Sequence, residues 1–330
     1  MTTPLLSIRG LRTTLATERG QVTVVDGVDL DVQPGEILGL VGESGSGKSM
    51  TLRSILRLIR APGRVSGQVL WRGRDLVPLR EAEMRAIRGR EIGMIFQEPM
   101  TALNPVLSVG AQILENLVAH TDLGRSARQA RAVELLDLVG ISAPAQRVND
   151  YPHQFSGGMR QRAMIAIALA SNPTLLLADE PTTALDVTIQ DQILKLLMHL
   201  RATLKMAVIL VTHDLGVVAQ SCDRVAVLYA GRVAEYGAVG PVFAAPHHAY
   251  TLGLLRSVPD ARHARQPLRP IGGAPPAPDT VGERCAFMPR CAYATAACAT
   301  ARPPLVSLSD GRLSACVHWD QLEANEWAAV

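Results

Sequence analysis

An α/β fold with an inserted helical subdomain and a small Cys-rich C-terminal extension is what this chain of 330 residues predicts. Three observations carry that expectation. Short apolar runs that end in polar residues alternate with stretches of helical periodicity. Residues 98–160 break the alternation with apolar-periodic helices. Four of the five cysteines fall after residue 284. Apolar runs of this length read as strands buried on both faces of a parallel sheet, and β–α–β alternation defines an α/β core.

Taken in order, residues 36–42 (Glu-Ile-Leu-Gly-Leu-Val-Gly) read as a buried strand. Gly47 to Arg60 reads as a helix stopped by Pro62-Gly63. Inside the interrupting segment, Ala111 to His120 and Ala127 to Val139 have helical spacing. Thr174 to Ala178 and Ala207 to Val211 are two more buried strands, with a helix from Asp186 to Leu204 between them. Val225 to Gly237 reads as a hairpin turning at Ala230-Gly231. Residues 259–282 are rich in proline and glycine and read as a linker. The tail from 283 is poor in regular apolar pattern, and a metal centre would supply what so small a core lacks.

The net charge is +3, with no concentrated Lys/Arg block. That argues against a nucleic-acid partner without excluding one. No apolar run reaches bilayer-spanning length, and Met-Thr-Thr-Pro is not a signal peptide. The chain is expected to be cytosolic, or attached to a membrane only through partners. In a reducing compartment, clustered cysteines favour metal binding over disulfides.

Gly42-Glu43-Ser44-Gly45-Ser46-Gly47-Lys48-Ser49 is a complete P-loop between a strand and a helix. Its glycines let backbone N–H groups close around a β-phosphate. Lys48 reaches the β- and γ-phosphates, and Ser49 ligates Mg²⁺. A Gly/Ser-rich turn has similar composition, but the strand–turn–helix context favours the P-loop. The strand 174–178 ends at Asp179-Glu180. Asp179 is placed to hold Mg²⁺ through water, and Glu180 to polarise an attacking water as general base. A solvated acidic pair would be the reading if the two stood alone. His213 closes the next strand at its carboxyl end, where ligands bind in open α/β sheets, and reads as a γ-phosphate contact. Gln97 follows Met94-Ile95-Phe96 and could reach Mg²⁺ or the water. Phe155 to Arg162 places a Ser-Gly-Gly turn at a helix start, a second phosphate grip. Two grips with one set of carboxylates imply that Ser156, Gly157 and Gly158 serve a nucleotide held by another subunit.

These motifs, with Ala184-Leu185-Asp186, occur in the order and at the spacings of the ATP-binding-cassette ATPases, which residues 5 to about 240 resemble. The resemblance implies a P-loop ATPase (RecA-like) core over 1–97 and 161–240. It also implies a helical subdomain with the signature motif over 98–160, an extension and linker over 241–282, and a Cys-rich domain over 283–330. ATP would be bound by Gly42, Ser44, Gly45, Gly47, Lys48, Ser49 and Met50, and Mg²⁺ by Ser49, Gln97 and Asp179. Glu180, His213 and Gln97 would be the catalytic group, and Asp186 would lie in the loop linking two nucleotide sites of a cassette pair. Many members stack an aromatic residue on adenine, but residues 1–37 contain no Phe, Tyr or Trp. Arg19 falls near that place. Its guanidinium plane suits a base, and a solvated turn arginine beside Gly20 is the equal alternative.

Pro99 to Pro105, His247 to Thr251 and Leu254 to Pro259 resemble the oligopeptide/dipeptide permease ATPases. Met159 after the paired glycines is similar to their D-type subunit. The implied activity is ATP hydrolysis driving oligopeptide or dipeptide import, with nickel complexes or glutathione as alternative cargo. The implied partners are a second cassette ATPase of F type in a heterodimer, two integral membrane permease subunits and a peptide-binding protein. No nucleic acid is expected. The location would be peripheral, on the cytoplasmic face of the plasma membrane, with residues 98–106 as the coupling surface. A soluble cassette ATPase working on DNA or the ribosome is the reading from another class; such proteins usually carry coiled-coil insertions or tandem cassettes, absent here.

Cys285, Cys291, Cys298 and Cys316 are separated by gaps of five, six and seventeen residues. Structural zinc sites usually show tight pairs, so a four-cysteine iron–sulfur centre fits at least as well. The D-type subunits are known for a [4Fe–4S] cluster in this region, and Pro289-Arg290-Cys291 matches their pattern. Zinc stands second, and disulfides or free thiols third. Such a centre would be a staple for the tail or a redox sensor. His318 is a substitute ligand or an exposed tail residue, and Cys222 a small buried side chain.

Overall fold

The computed structural model describes residues 3–18, 20–98, 102–183, 185–258 and 270–322. Arg19, Pro99 to Thr101, Ala184 and much of the expected linker lie outside them. The strands in chain order are β1 (Leu6–Thr17), β2 (Gly20–Val32), β3 (Ile37–Val41), β4 (Arg64–Trp71), β5 (Arg74–Asp75), β6 (Ile92–Ile95), β7 (Leu175–Asp179), β8 (Ala207–Val211), β9 (Arg224–Tyr229), β10 (Arg232–Ala238), β11 (Val306–Ser307) and β12 (Leu313–Ser314). The chain forms two compact units. One comprises residues 1–33, 37–77 and 212–330, the other 34–36 and 78–211.

The first unit opens with an antiparallel sheet in the order β2-β1-β4-β5, which the sequence reading did not place. Its hydrophobic period is broken by register shifts in β1, at Ile8/Leu11 against β2 and at Arg9/Arg12 against β4. A bulge moves the following side chains to the opposite face, so strict alternation is lost. Gly67 sits opposite this bulge at φ 88°, where a Cβ would stand 2.4 Å from the Gly10 carbonyl oxygen. The same unit holds the run β11-β12-β10-β9-β3, in which β3 and β9 are parallel. The expected hairpin is present as β9 and β10, and its turn residues Ala230 and Gly231 both take positive φ (47° and 79°), the backbone of a two-residue hairpin turn.

The helix after the P-loop runs only from Lys48 to Ile55, shorter than the Gly47–Arg60 span expected. Arg57 takes φ 51°. Its N–H donates to the Ser54 carbonyl and the Leu58 N–H to the Arg53 carbonyl, at 3.0 and 2.8 Å. This pair of bonds is a Schellman termination, with arginine in the position usually taken by glycine. That substitution removed the stop signal from the sequence.

The described part of the C-terminal tail draws its core from the rest of this unit. Phe287 (4% exposed) packs in one cluster with Val41, Val227, Tyr229, Val242 and Tyr250. Strand β12 adds to the edge of β10 through Glu235↔Ser314 and Tyr236↔Leu313. The apolar surface that the tail's own sequence lacks comes from residues far earlier in the chain.

Glu235 is fully buried where that edge is joined. Its carboxylate accepts from the backbone N–H groups of His247 and His248 at 2.8 and 3.0 Å. Arg312 Nη1 stands 3.9 Å away; Arg312 also pairs with Asp310 and contacts His247. Burial pushes Glu235 up from 4.5 to about 7, against those bonds and charges, and pulls buried His248 down from 6.5 to about 4. Between pH 4.5 and 7 the folded state holds the Glu235 proton more tightly than the unfolded chain, so this group loses stability as pH rises. His248 acts oppositely, gaining stability from pH 4 to 6.5. Thermal melts of the full chain against pH are expected to lose the falling contribution in Glu235→Gln and the rising one in His248→Asn. Identical pH profiles for wild type and both variants would contradict the assignment.

The second unit contains the parallel run β8-β7-β6. Strands β7 and β8 are buried at every position, as parallel strands covered on both faces must be. Helices Val109–His120, Arg125–Leu138 and Gly157–Ala168 pack together through Ile113, Leu117, Leu135, Leu136 and Ile165, all fully buried. The first of these starts at Ser108, whose Oγ accepts from the Ala111 N–H at 3.2 Å, a standard N-cap. No helix among the described residues is long and apolar enough to cross a membrane.

Candidate active site

The P-loop connects β3 to the helix at Lys48, as the strand–turn–helix reading requires. Gly42 and Gly47 take φ 148° and 101°; a Cβ would stand 2.2 Å from the Leu228 carbonyl at the first and 2.8 Å from the Val24 carbonyl at the second. Only glycine fits either place. Lys48 is buried, and its Nζ donates to the carbonyl oxygens of Gly42 and Glu43 at 2.7 and 2.9 Å. The ammonium is thus held inside the loop by groups that a phosphate can replace. Ser44 and Gly45 are exposed, and Ser49 and Met50 half-buried. His213, exposed just beyond β8, lines one cavity of about 210 Å³ with Gly42, Glu43 and Leu215. Asp214 caps the next helix, accepting from the Gly216 and Val217 N–H groups.

Gln97, Ser156 to Gly158, Asp179, Glu180 and Asp186 lie in the second unit. Asp179 is the fully buried last residue of β7. Glu180 follows with φ 45°, a left-handed conformation that costs a side-chain-bearing residue about 1–2 kcal/mol. Its N–H donates to the Val211 carbonyl at 3.1 Å. Gln97 Nε2 and Thr183 Oγ1 both donate to Glu180 Oε2, at 3.1 and 2.8 Å. Gln97 and Glu180 are therefore brought together across 83 residues. Thr183, absent from the sequence expectations, is part of the same group; its place three residues after the acidic pair was the available signal.

The Ser156-Gly157-Gly158 turn is presented on the surface by a buried anchor, Phe155 (2% exposed). Ser156 Oγ caps the helix Gly157–Ala168, accepting from the Met159 N–H at 3.3 Å. Gly158 has no room for a side chain: a Cβ would stand 2.9 Å from Ile189 Cγ2. Asp186 caps the helix Val187–Leu204, accepting from the Ile189 N–H at 3.0 Å.

All five cysteines are free. Cys285, Cys291, Cys298 and Cys316 line one small, largely apolar cavity with His248, Phe287 and His318. Burial pushes the Cys291 thiol up to about 11 and raises Cys285 and Cys316 as well. Among the described residues, however, no group of three or more His, Cys, Asp or Glu side chains stands in a metal-holding arrangement. The expected [4Fe–4S] or zinc site is thus a convergence of thiols and not a formed ligand set. His318 Nε2 lies 2.9 Å from Thr295 Oγ1. Cys222 is a packed core thiol: its Sγ lies 3.0 Å from where a Cβ on Gly39 would stand, and burial raises it to about 12.

A glycine-lined phosphate loop after a buried strand, in a mixed α/β fold, defines the chain as a P-loop ATPase cassette. Comparison with known proteins agrees. Residues 25–183 match the ABC transporter family, and residues 234–298 match the family described as oligopeptide/dipeptide transporter, C-terminal region. A putative peptide import ATP-binding protein of Brucella melitensis is 49% identical, covering 97% of this chain and 99% of that protein. The oligopeptide transport ATP-binding protein OppD of Bacillus subtilis is 50% identical, covering 93% of this chain and 87% of its own length. Among solved structures, the ATP-binding cassette MJ0796, a dimer in a post-hydrolysis state bound to ADP and phosphate, is 30% identical with a TM-score of 0.64, over 71% of this chain and 98% of that one. The chain belongs to the ATP-binding-cassette transporter ATPases, in their oligopeptide/dipeptide branch.

Proposed function

We propose that this chain is the D-type ATPase subunit of an oligopeptide or dipeptide importer. The observation that carries the reading is the end-to-end match to peptide-import ATPases, which runs through the C-terminal region as well as the cassette. The glycine-rich loop binds the ATP phosphates through its N–H groups. Gly42, Ser44, Gly45, Gly47 and Met50 shape that grip, and Lys48 gives up its bonds to the Gly42 and Glu43 carbonyls for the phosphate oxygens. Ser49, Gln97 and Asp179 offer hydroxyl, amide and carboxylate oxygens, the hard donors that suit Mg²⁺; when bound, the ion neutralises phosphate charge. Glu180 receives the proton of the attacking water. Gln97 and Thr183 hold its carboxylate in position. His213 contacts the γ-phosphate.

Ser156, Gly157 and Gly158 grip the nucleotide of a second cassette, an F-type subunit in a heterodimer, and Asp186 lies in the loop joining the two sites. ATP favours the closed pair because it contacts both halves only there. The partners beyond the pair are two permease subunits and a peptide-binding protein, and the chain sits peripherally on the cytoplasmic membrane face. Gln112 supports a coupling surface after Gln97: its side chain bonds the Asn104 N–H and the Asn104 and Leu107 carbonyls, leaving Val106 75% exposed. Detergent extraction is expected to recover the chain with two integral membrane proteins and a second cassette. Recovery with ribosomes or DNA instead would overturn the transport reading.

The four tail cysteines are the proposed ligands of a [4Fe–4S] cluster, with zinc as the other occupant. Their convergence on one cavity supports the proposal, and ligation would require their deprotonation against the effect of burial. Anaerobic purification followed by iron, sulfide and zinc analysis is expected to find iron and sulfide in equal amounts. Zinc alone would favour the second occupant, and neither metal would overturn a metal centre.

A further inference from the structure

Glu43, the second residue of the P-loop, is gripped by the C-terminal tail. Arg290 Nη1 and Nη2 donate to Glu43 Oε2 and Oε1 at 2.7 and 2.8 Å, a bidentate fork. The Arg290 side chain is 5% exposed and that of Glu43 27%. Pairing of this geometry is among the strongest side-chain contacts and fixes direction as well as distance. The guanidinium is itself seated. Its Nε donates to the Gly272 carbonyl at 2.9 Å and its Nη1 to Tyr229 Oη at 3.3 Å. Its carbon lies 5.9 Å from the ring centres of both Tyr229 and Phe287. A second hold acts on the Glu43 backbone, whose N–H donates to Tyr250 Oη at 2.8 Å. Tyr229, Tyr250 and Phe287 form one buried aromatic cluster, with centroids 4.5 to 5.3 Å apart.

The carbonyl oxygen of this same Glu43 accepts from Lys48 Nζ and from the Ser46 N–H. One residue therefore carries the tail's fork on its side chain and the loop's lysine on its backbone. We propose that Arg290 is a positioning residue of the P-loop, setting the loop for ATP through Glu43 and making nucleotide affinity depend on the docked C-terminal tail. Arg290 directly precedes Cys291, so the ordering of the thiol cavity and the setting of the loop share one stretch of backbone. The inference rests on the reading of Lys48 as the phosphate-binding residue.

The test is ATP binding to the full-length chain, by titration with a fluorescent ATP analogue, together with KM and kcat of the assembled transporter. Arg290→Ala is expected to weaken binding about tenfold, within the 5–150-fold span typical of coupled sites. KM should rise with kcat at saturating ATP unchanged. Arg290→Lys, which keeps the charge and loses the fork, should fall between. Glu43→Gln should match Arg290→Ala, and the double variant should be no weaker than the weaker single. Folded Arg290→Ala with wild-type affinity, or losses that add in the double variant, would overturn the proposal. If Arg290→Ala does not fold, the Glu43→Gln titration decides, with unchanged affinity counting against it. Lys48→Ala is the separate control: wild-type affinity there would defeat the reading of the loop and not the fork.

Discussion

The Glu180→Gln protein is expected to bind ATP as the wild type does and to hydrolyse it roughly 10²–10⁴-fold more slowly. The substitution keeps the shape of the side chain and leaves an amide oxygen able to accept the Thr183 hydroxyl, which now donates at 2.8 Å. The positive φ at residue 180 is retained, so the backbone cost is the same in both proteins. What is lost is the capacity to take a proton from water. Single-turnover hydrolysis beside equilibrium ATP binding separates the two effects. Hydrolysis at the wild-type rate would remove Glu180 from the role of base. Thr183→Val should show a smaller loss in the same assay, because it leaves the base and removes one bond that positions it.

The second large effect is expected at Ser156, where a local structural role and a role in a neighbouring site can be separated by chemistry. Ser156 caps its helix through Oγ, and loss of such a cap costs about 1 kcal/mol. Ser156→Asp keeps the cap, since aspartate serves there as well as serine, but sets a carboxylate where partner phosphate is proposed to bind. The Asp variant should therefore melt near the wild-type temperature while hydrolysis at the partner's P-loop falls by roughly 10²–10³-fold, the scale of losing one donor to developing charge. Ser156→Ala should reverse the ranking, with the larger stability loss and the smaller catalytic one. Pairing the Asp variant with a partner whose own P-loop lysine is replaced reports the site at Lys48, which should retain more activity than the partner's site. Equal losses at both sites would place Ser156 in its own chain's chemistry.

Much of this was legible from local pattern. The P-loop glycines are forced by backbone geometry at Gly42 and Gly47 that no side chain permits, so the motif and the structure carry the same information. Strands β7 and β8 and the helix between them are apolar where they are buried, Asp179 at the end of β7 excepted, and their boundaries fall within a residue of those expected. Other features left no local trace. Strand β1 is bulged, so its alternation fails. The helix after the P-loop closes on Arg57 instead of glycine, so the sequence carries no stop signal before Pro62-Gly63 and the helix ends earlier than its pattern predicts. Arg19 lies outside the described residues, and the base-stacking expectation stays with the sequence.

The thiol region shows a different limit. Four cysteines at uneven spacing pointed to one centre, and they do face one cavity. Metal-holding geometry, however, depends on fractions of an ångström between side chains from four places in the chain, and no such group stands among the described residues. The tail's own composition likewise does not show its core, because the apolar partners of Phe287 lie between Val41 and Leu255.

The sequence by itself determined the α/β cassette, the phosphate loop, the acidic strand end and the signature turn, because each depends on residues close in the chain whose backbone and side-chain requirements are local. Tertiary structure alone decided what those residues lean on. Gln97 donates to Glu180 across 83 positions, and Arg290 forks onto Glu43 across 247. Charge and hydrogen-bond pairing over such separations is set by how strands and loops pack, and no periodicity in the chain records it.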